Sequence, residues 1–138
     1  MEIDLTDVCI AFSGEGGPLQ WFLDVQTGST LLLNAEYDPN QNGGLTAAQV
    51  EADGARFKPI PPADPHLTLT DMESFAAQTS DAQLKESFEL ALGAPHPERR
   101  FRAVLGWLPE EQARWHAYRQ AQLEARARAW LKMLGLTA

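Results

Sequence analysis

The feature that most constrains the fold is a cluster of four prolines from Pro59 to Pro65, in the segment KPIPPADP. Proline fixes the φ angle and removes a backbone hydrogen-bond donor, so neither a helix nor a central strand is expected to continue through this segment. We therefore predict a connector over residues 59–66, an α/β hairpin part over residues 1–58 and a helical part over residues 67–138. Because neither part alone has the length for a comfortable core, the prediction is one domain over residues 1–138.

The part before the connector combines the periodicities of helix and strand. A short helix capped by Asp4 is predicted by apolar residues at helical spacing, namely Leu5, Val8, Cys9 and Phe12. An alternation with a period of two then predicts a strand whose apolar face holds Leu19, Trp21, Leu23 and Val25. A returning strand is expected over residues 29–35, a second short helix from Thr46, and a weaker third strand over residues 56–60. We expect the apolar hairpin face to pack against helices, because an isolated hairpin is only marginally stable in water.

The part after the connector has helical patterns throughout. Capping boxes, which satisfy orphaned N–H groups at a helix start, are predicted from Thr70 with Glu73 and from Ser80 with Gln83. Pro97 and Pro109 suit the first positions of two further helices. The predicted fold class is therefore α+β: an N-terminal helix and a small antiparallel sheet, packed on a C-terminal bundle of about four helices.

Composition limits the class of protein. The single cysteine, Cys9, excludes an internal disulfide and indicates a reducing compartment. The N-terminal residues MEIDLTD are acidic where a signal peptide would be basic. No run of residues approaches the roughly 20 apolar positions that a bilayer requires. We therefore expect a cytoplasmic protein that does not bind a membrane.

The net charge of −8 is unevenly distributed. Residues 1–92 contain 15 acidic and 3 basic side chains, whereas residues 93–138 contain 4 acidic and 8 basic ones. One interpretation is a basic face for an acidic partner. The other is that the two halves neutralise each other within one fold, which we favour because blocks of charge are usually solvated or internally paired.

The basic C-terminal segment contains the best candidate binding surface. Guanidinium groups bind phosphates or carboxylates in a planar fork, and aromatic rings stack on bases. The residues concerned are Arg99, Arg100, Arg102, Arg114, Trp115, Tyr118 and Arg119. The same aromatic residues also fall at core spacing, where arginines serve as intramolecular partners. Because a pI near 4.7 argues against nonspecific nucleic-acid binding, we favour a protein partner over nucleic acid.

The segment DPNQNGGLTAAQ, Asp38 to Gln49, partly follows the calcium-loop template. Its candidate oxygen ligands are Asp38, Asn40, Asn42 and Gln49. Gln49 stands where the template has a bidentate Glu, and Asp38 carries the only formal charge of the loop, so any calcium affinity would be weak. The alternative is an Asx-rich turn that caps a helix without a metal. No other cofactor is indicated.

The sequence offers little support for a catalytic motif. The glycine-rich segment Ser13 to Gly17 lacks the Lys-Ser/Thr of a phosphate loop, and the three histidines lack zinc-ligand spacing. No motif pairs two carboxylates for acid–base chemistry. A small enzyme with a site between sheet and helices stays open as an alternative, since catalytic groups often converge from distant positions.

The order of several segments resembles the bacterial Uncharacterised Protein Family 0158. The segments are WFLDVQTG (Trp21 to Gly28), RFKPIPP (Arg56 to Pro62), DMESF (Asp71 to Phe75), DAQLKESFELALG (Asp81 to Gly93), RRFRAVL (Arg99 to Leu105), ARWHAYR (Ala113 to Arg119) and ARAWLKMLG (Ala127 to Gly135). The family usually has a very acidic stretch after the hairpin, where this chain has the Asn/Gly-rich loop over residues 38–44. The resemblance supports the fold class and implies no reaction, ligand or catalytic residue. Our function hypothesis is therefore a non-catalytic binding or regulatory module that uses the Arg/aromatic helical face.

Overall fold

The computed structural model of the chain describes residues 2–13, 20–61 and 64–137. Within these ranges it contains, in chain order, α1 (Leu5–Ser13), β1 (Gln20–Asp24), β2 (Thr30–Leu33), a 3-10 turn (Pro39–Asn42), α2 (Ala47–Ala52), β3 (Phe57–Pro59), α3 (Pro65–Ala77), α4 (Ala82–Leu92), α5 (Pro97–Leu105) and α6 (Pro109–Met133). The fold is α+β, as predicted. The described residues up to 61 form one compact unit with those from 123 onward, and residues 64–122 form a second.

The sheet of the first unit has three antiparallel strands in the order β2-β1-β3. Trp21 pairs with Leu32 of β2, and Leu23 pairs with Lys58 of β3, so the predicted third strand is confirmed. Both faces of β1 are buried, whereas the alternation predicted one apolar face. The second face is covered because Phe22 packs against Val50 of α2 and Phe57 of β3.

The main core of the first unit forms on the other face of β1. Leu23 is fully buried there with Val8 and Cys9 of α1 and with residues from the last turns of α6. Trp21 and Val25 pack against the same cluster, so the predicted hairpin face does pack against helices. Leu19 and the glycine-rich segment after Ser13 lie outside the described residues.

Capping side chains set where the helices begin. The Asp4 carboxylate accepts a hydrogen bond from the Thr6 N–H at 3.0 Å, which confirms the cap of α1. Pro97 and Pro109 open α5 and α6 as expected. Helix α3 begins earlier than the Thr70 box predicted, because Asp64 caps it and Pro65 occupies its first position.

The second unit is built around an aromatic cluster. The ring centre of Phe75 in α3 lies 5.3–6.0 Å from four other aromatic ring centres, those of Phe88, Phe101, Trp115 and Tyr118. Most of these pairs have the edge-to-face geometry that aromatic quadrupoles favour. The cluster therefore ties α3, α4, α5 and the first turns of α6 into one packed unit.

Candidate functional site

Helix α5 presents a basic face to solvent. Phe101 and Leu105 are buried on its inner side, whereas Arg99, Arg100 and Arg102 are exposed on its outer side. The side chain of Arg102 is 57% exposed, and its contact with Glu98 one turn earlier is long, at 4.0 Å. Such exposed pairs contribute little to stability, which leaves the guanidinium group able to bind another anion.

Arg100 is held more firmly than its neighbours. Its Nε atom donates a hydrogen bond to the Pro95 carbonyl oxygen at 2.9 Å, just before the helix begins. The outer guanidinium nitrogens of an arginine bound in this way can still donate to a ligand. Arg100 therefore has a local structural task as well as a place on the basic face.

A residue that the sequence did not single out lies just after α5. Trp107, in the turn between α5 and α6, is 87% exposed. The turn is closed by the Leu108 N–H, which donates to the Leu105 carbonyl oxygen at 2.9 Å. In the sequence, Gly106 before it and Pro109 after it indicate a turn at this position. A side chain in a tight turn lies on no helix face, so helical spacing did not predict that Trp107 is exposed. We define the basic Trp107 face as Arg99, Arg100, Arg102 and Trp107.

The other four predicted surface residues lie on α6 and are embedded in the second unit. Trp115 is only 6% exposed and Tyr118 packs beside it in the aromatic cluster. Arg119 is half-buried and interacts within the fold. Arg114 is fixed by several partners described below. The structure thus does not bring the predicted set together as one surface, because helical spacing on α6 reflects core packing.

The guanidinium group of Arg114 has three partners within the second unit. It pairs with Glu111 at 2.6 Å and donates to the Thr79 hydroxyl at 3.0 Å. Its carbon atom also lies 4.1 Å from the centre of the Phe75 ring, in cation–π geometry. These contacts connect α6 to the end of α3, so Arg114 has a structural role.

Two of the four candidate calcium ligands, Asp38 and Gln49, use a side-chain oxygen in a local cap. The Asp38 carboxylate accepts from the Asn40 N–H at 2.9 Å, and the Asn42 amide donates to the Asp38 carbonyl at 2.8 Å. Gln49 completes a capping box with Thr46, its side-chain oxygen accepting from the Thr46 N–H at 2.9 Å. The Asx-turn alternative therefore accounts for the hydrogen bonds that these side chains make. In the ranges covered by the structure, no three His, Cys, Asp or Glu residues are grouped to hold a metal ion.

A cleft of about 390 Å³ with mixed polar and apolar lining lies in the first unit, beside the hairpin turn. Arg56, one of the residues that line it, makes a two-pronged ion pair with Asp24, with Nε–Oδ1 and Nη2–Oδ2 distances of 3.0 and 2.9 Å. Thr27, Ser29 and Thr30 line the same cleft. This ion pair joins the end of β1 to the residue before β3. Its role in holding the sheet together accounts for the ion pair without a ligand.

Titration of the ion pair bears on whether the cleft could serve an enzyme. Burial alone raises the pKa of Asp24, but hydrogen bonds from Arg56, the Gln26 N–H and Thr27 outweigh it, so the net pKa is lowered. The hydrogen bond to Asp24 raises the pKa of Arg56. Both groups therefore stay charged at neutral pH and are poorly suited to proton transfer there.

Two further observations concern Cys9 and membranes. Cys9 is buried in α1, and burial raises the pKa of its thiol, which disfavours the nucleophilic thiolate.

None of the helices in the described part of the chain has the length and apolar character to cross a bilayer. Neither observation adds a site to the basic Trp107 face.

Comparison with known proteins identifies a family. Searches of curated proteins and of solved structures each found no match. A family model matches residues 1–137, which is nearly the full length of the chain and includes every element described above. The chain therefore belongs to the uncharacterised protein family UPF0158.

Proposed function

We propose that the protein is a non-catalytic interaction module whose basic Trp107 face binds an acidic segment of a partner protein. The observation that carries the proposal is the 87% exposure of Trp107 at the end of a helix that presents three exposed arginines. Large aromatic side chains are usually at least partly covered in a monomer. Trp and Arg are also the residues most enriched at the energetic centres of protein interfaces.

The chemistry of the face favours an acidic protein segment over nucleic acid. Arginine binds a carboxylate through two parallel hydrogen bonds, and the exposed indole offers apolar area to a neighbouring aliphatic side chain. The net charge of −8 opposes the approach of a polyphosphate backbone. A short acidic segment with apolar residues meets less of this repulsion, because salt screens charges beyond about 10 Å.

The proposal can be tested with a defined peptide. The probe is a short labelled peptide of Glu, Asp and Leu, and its neutral counterpart contains Gln and Asn instead of the acids. We expect the acidic peptide to bind and the neutral one not to, with affinity falling as salt rises. The indole N–H signal of Trp107, assigned by comparison with Trp107→Phe, should shift in an NMR titration.

Charge-reversal variants test which arginines bind the peptide, and a reversal elsewhere on the surface serves as the matched control. We expect Arg99→Glu with Arg102→Glu to weaken peptide binding by about tenfold or more, and Trp107→Ala to weaken it similarly. Arg128→Glu, an exposed reversal on α6, should leave binding unchanged. All these variants should melt within a few degrees of the wild type, because they change exposed side chains.

Two results would overturn the proposal. One is equal binding of the acidic peptide to the wild type and to the double reversal. The other is binding of a single-stranded oligonucleotide, lost in the double reversal, with no binding of the acidic peptide, which would make the face a nucleic-acid interface.

A further inference from the structure

A groove of about 270 Å³ lies between α3 and α4 in the second unit. Its apolar lining comes from the buried Ala76 and the half-buried Leu92. Its rim carries two exposed carboxylates, Glu73 from α3 and Glu89 from α4, and Gly93 adds no side chain to it. Within the described ranges, none of the ion pairs involves either glutamate.

The groove is the chemical complement of the basic Trp107 face. One surface combines apolar lining residues with two carboxylates, and the other combines the exposed indole of Trp107 with the exposed guanidinium groups of the preceding helix, those of Arg99 and Arg102. Arginine and carboxylate form charge-assisted hydrogen bonds, and an aromatic anchor in an apolar pocket is the usual centre of a protein interface. Since Trp107 is 87% exposed, the groove of its own chain does not hold it.

We propose that the acidic partner is a second copy of this chain, with Trp107 of one copy seated in the α3–α4 groove of the other. Arg99 and Arg102 then pair with Glu73 and Glu89 across the contact. This inference rests on the proposed function, because it uses the same surface and names its occupant. The two complementary surfaces are carried by the same unit, so every copy can both give and receive the contact.

The proposed contact is small, which sets its strength. The contact consists of one indole, two ion pairs and their surroundings, so the surface area that it buries is at the low end for protein interfaces. The association is therefore weak and concentration-dependent. Reciprocal contacts between two copies close a dimer, whereas one-directional contacts extend to larger assemblies. Exposed ion pairs are screened by salt, so added salt shifts the wild type towards monomer.

Sedimentation velocity of the full chain at increasing concentration tests the inference. The wild type should self-associate, and Trp107→Ala should remain monomeric over the same range. The double reversal Arg99→Glu with Arg102→Glu should be monomeric, as should Glu73→Arg with Glu89→Arg. Arg128→Glu should associate like the wild type, and circular dichroism should show every variant folded.

Mixing the two double reversals makes the test specific. In each variant alone, both surfaces carry charges of the same sign and repel each other. In the mixture, the glutamates of one variant again face the arginines of the other. We expect association in the equimolar mixture to approach that of the wild type. A wild type that stays monomeric, variants that associate like the wild type, or a mixture that does not recover association would each overturn the inference.

The outcome also separates this inference from the proposed function. If the wild type is monomeric yet binds the acidic peptide through Arg99 and Arg102, the partner is another protein and only this inference fails. If the wild type neither associates nor binds the peptide, both fail. If it associates as predicted, Glu73→Arg with Glu89→Arg should lose association while still binding the acidic peptide.

Discussion

The guanidinium carbon of Arg114 lies 4.1 Å from the centre of the Phe75 ring, while Nη2 of the same side chain donates to the Thr79 hydroxyl. Thr79 in turn is buried and donates to the Phe75 carbonyl oxygen at 3.1 Å. The arginine therefore contacts the Phe75 ring and Thr79, just after the end of α3, at the same time. This separates Arg114 from the exposed arginines of α5, although all are equally basic in the sequence.

Replacement of Arg114 should therefore affect stability. We expect Arg114→Ala to lower the free energy of unfolding by about 1–3 kcal/mol, because it removes a cation–π contact and leaves the buried Thr79 hydroxyl with one partner fewer. Arg102→Ala, with a more exposed side chain and a long ion pair, should change it by less than about 0.5 kcal/mol. Urea unfolding measures both, and equal effects would contradict the distinction between them.

The Asp24–Arg56 ion pair predicts a pH dependence of stability. Because the folded-state pKa of Asp24 is lowered from 3.8, its contribution is fully present above the unfolded-state value and is lost as the pH falls through the folded-state value. The stability difference between the wild type and Asp24→Asn should therefore be constant above about pH 5 and shrink below about pH 4. Thermal unfolding across this range measures the difference.

Arg56→Met serves as the control for that prediction. Burial raises the pKa of Asp24 in both proteins, but the variant lacks the hydrogen bond and the positive charge of Arg56 that lower it, so the pKa of Asp24 is higher than in the wild type. The acid-side loss of stability should then begin at higher pH than in the wild type. A difference between the wild type and Asp24→Asn that does not change with pH would show that the ion pair adds no charge-dependent stability.

Gly28 predicts a steep cost for a single methyl group. It is buried after the hairpin turn with φ of 80°, and a Cβ atom there would overlap the backbone carbonyl of Glu2. Gly28→Ala should therefore destabilise by about 3 kcal/mol or more, since it combines left-handed strain with a clash against backbone. Gly43→Ala is the matched control, because Gly43 has φ of 67° with nothing near its Cβ position, and it should cost about 1 kcal/mol. Equal losses in urea unfolding would contradict the close approach of Gly28 to Glu2.

The loop over residues 38–49 predicts a result with calcium. Because the Asp38 carboxylate and the Gln49 side-chain oxygen already accept backbone N–H bonds, we expect the same melting temperature in millimolar calcium and in chelator. A higher melting temperature in calcium, absent in Asp38→Ala, would support the metal-binding hypothesis instead. Asp38→Ala itself should cost about 1 kcal/mol as a lost cap.

The sequence alone determined the class of fold and most element positions, because these depend on local chemistry. Period-two alternation predicted β1, Thr46 predicted α2, and Pro97 and Pro109 placed the starts of α5 and α6. Competing local signals account for the early start of α3, where Asp64 and Pro65 prevailed over the Thr70 box. These features are encoded within a few residues and so can be recognised without the fold.

Only the tertiary structure decided which polar and aromatic side chains are accessible. Arg102 and Arg114 have the same charge, and Trp107 and Trp115 the same ring, yet in each pair one is exposed and the other is held within the second unit. The tertiary structure likewise buried both faces of β1, because Val50 and Phe57 come from distant positions to cover Phe22. Burial depends on which elements pack together, and helical spacing alone does not specify that.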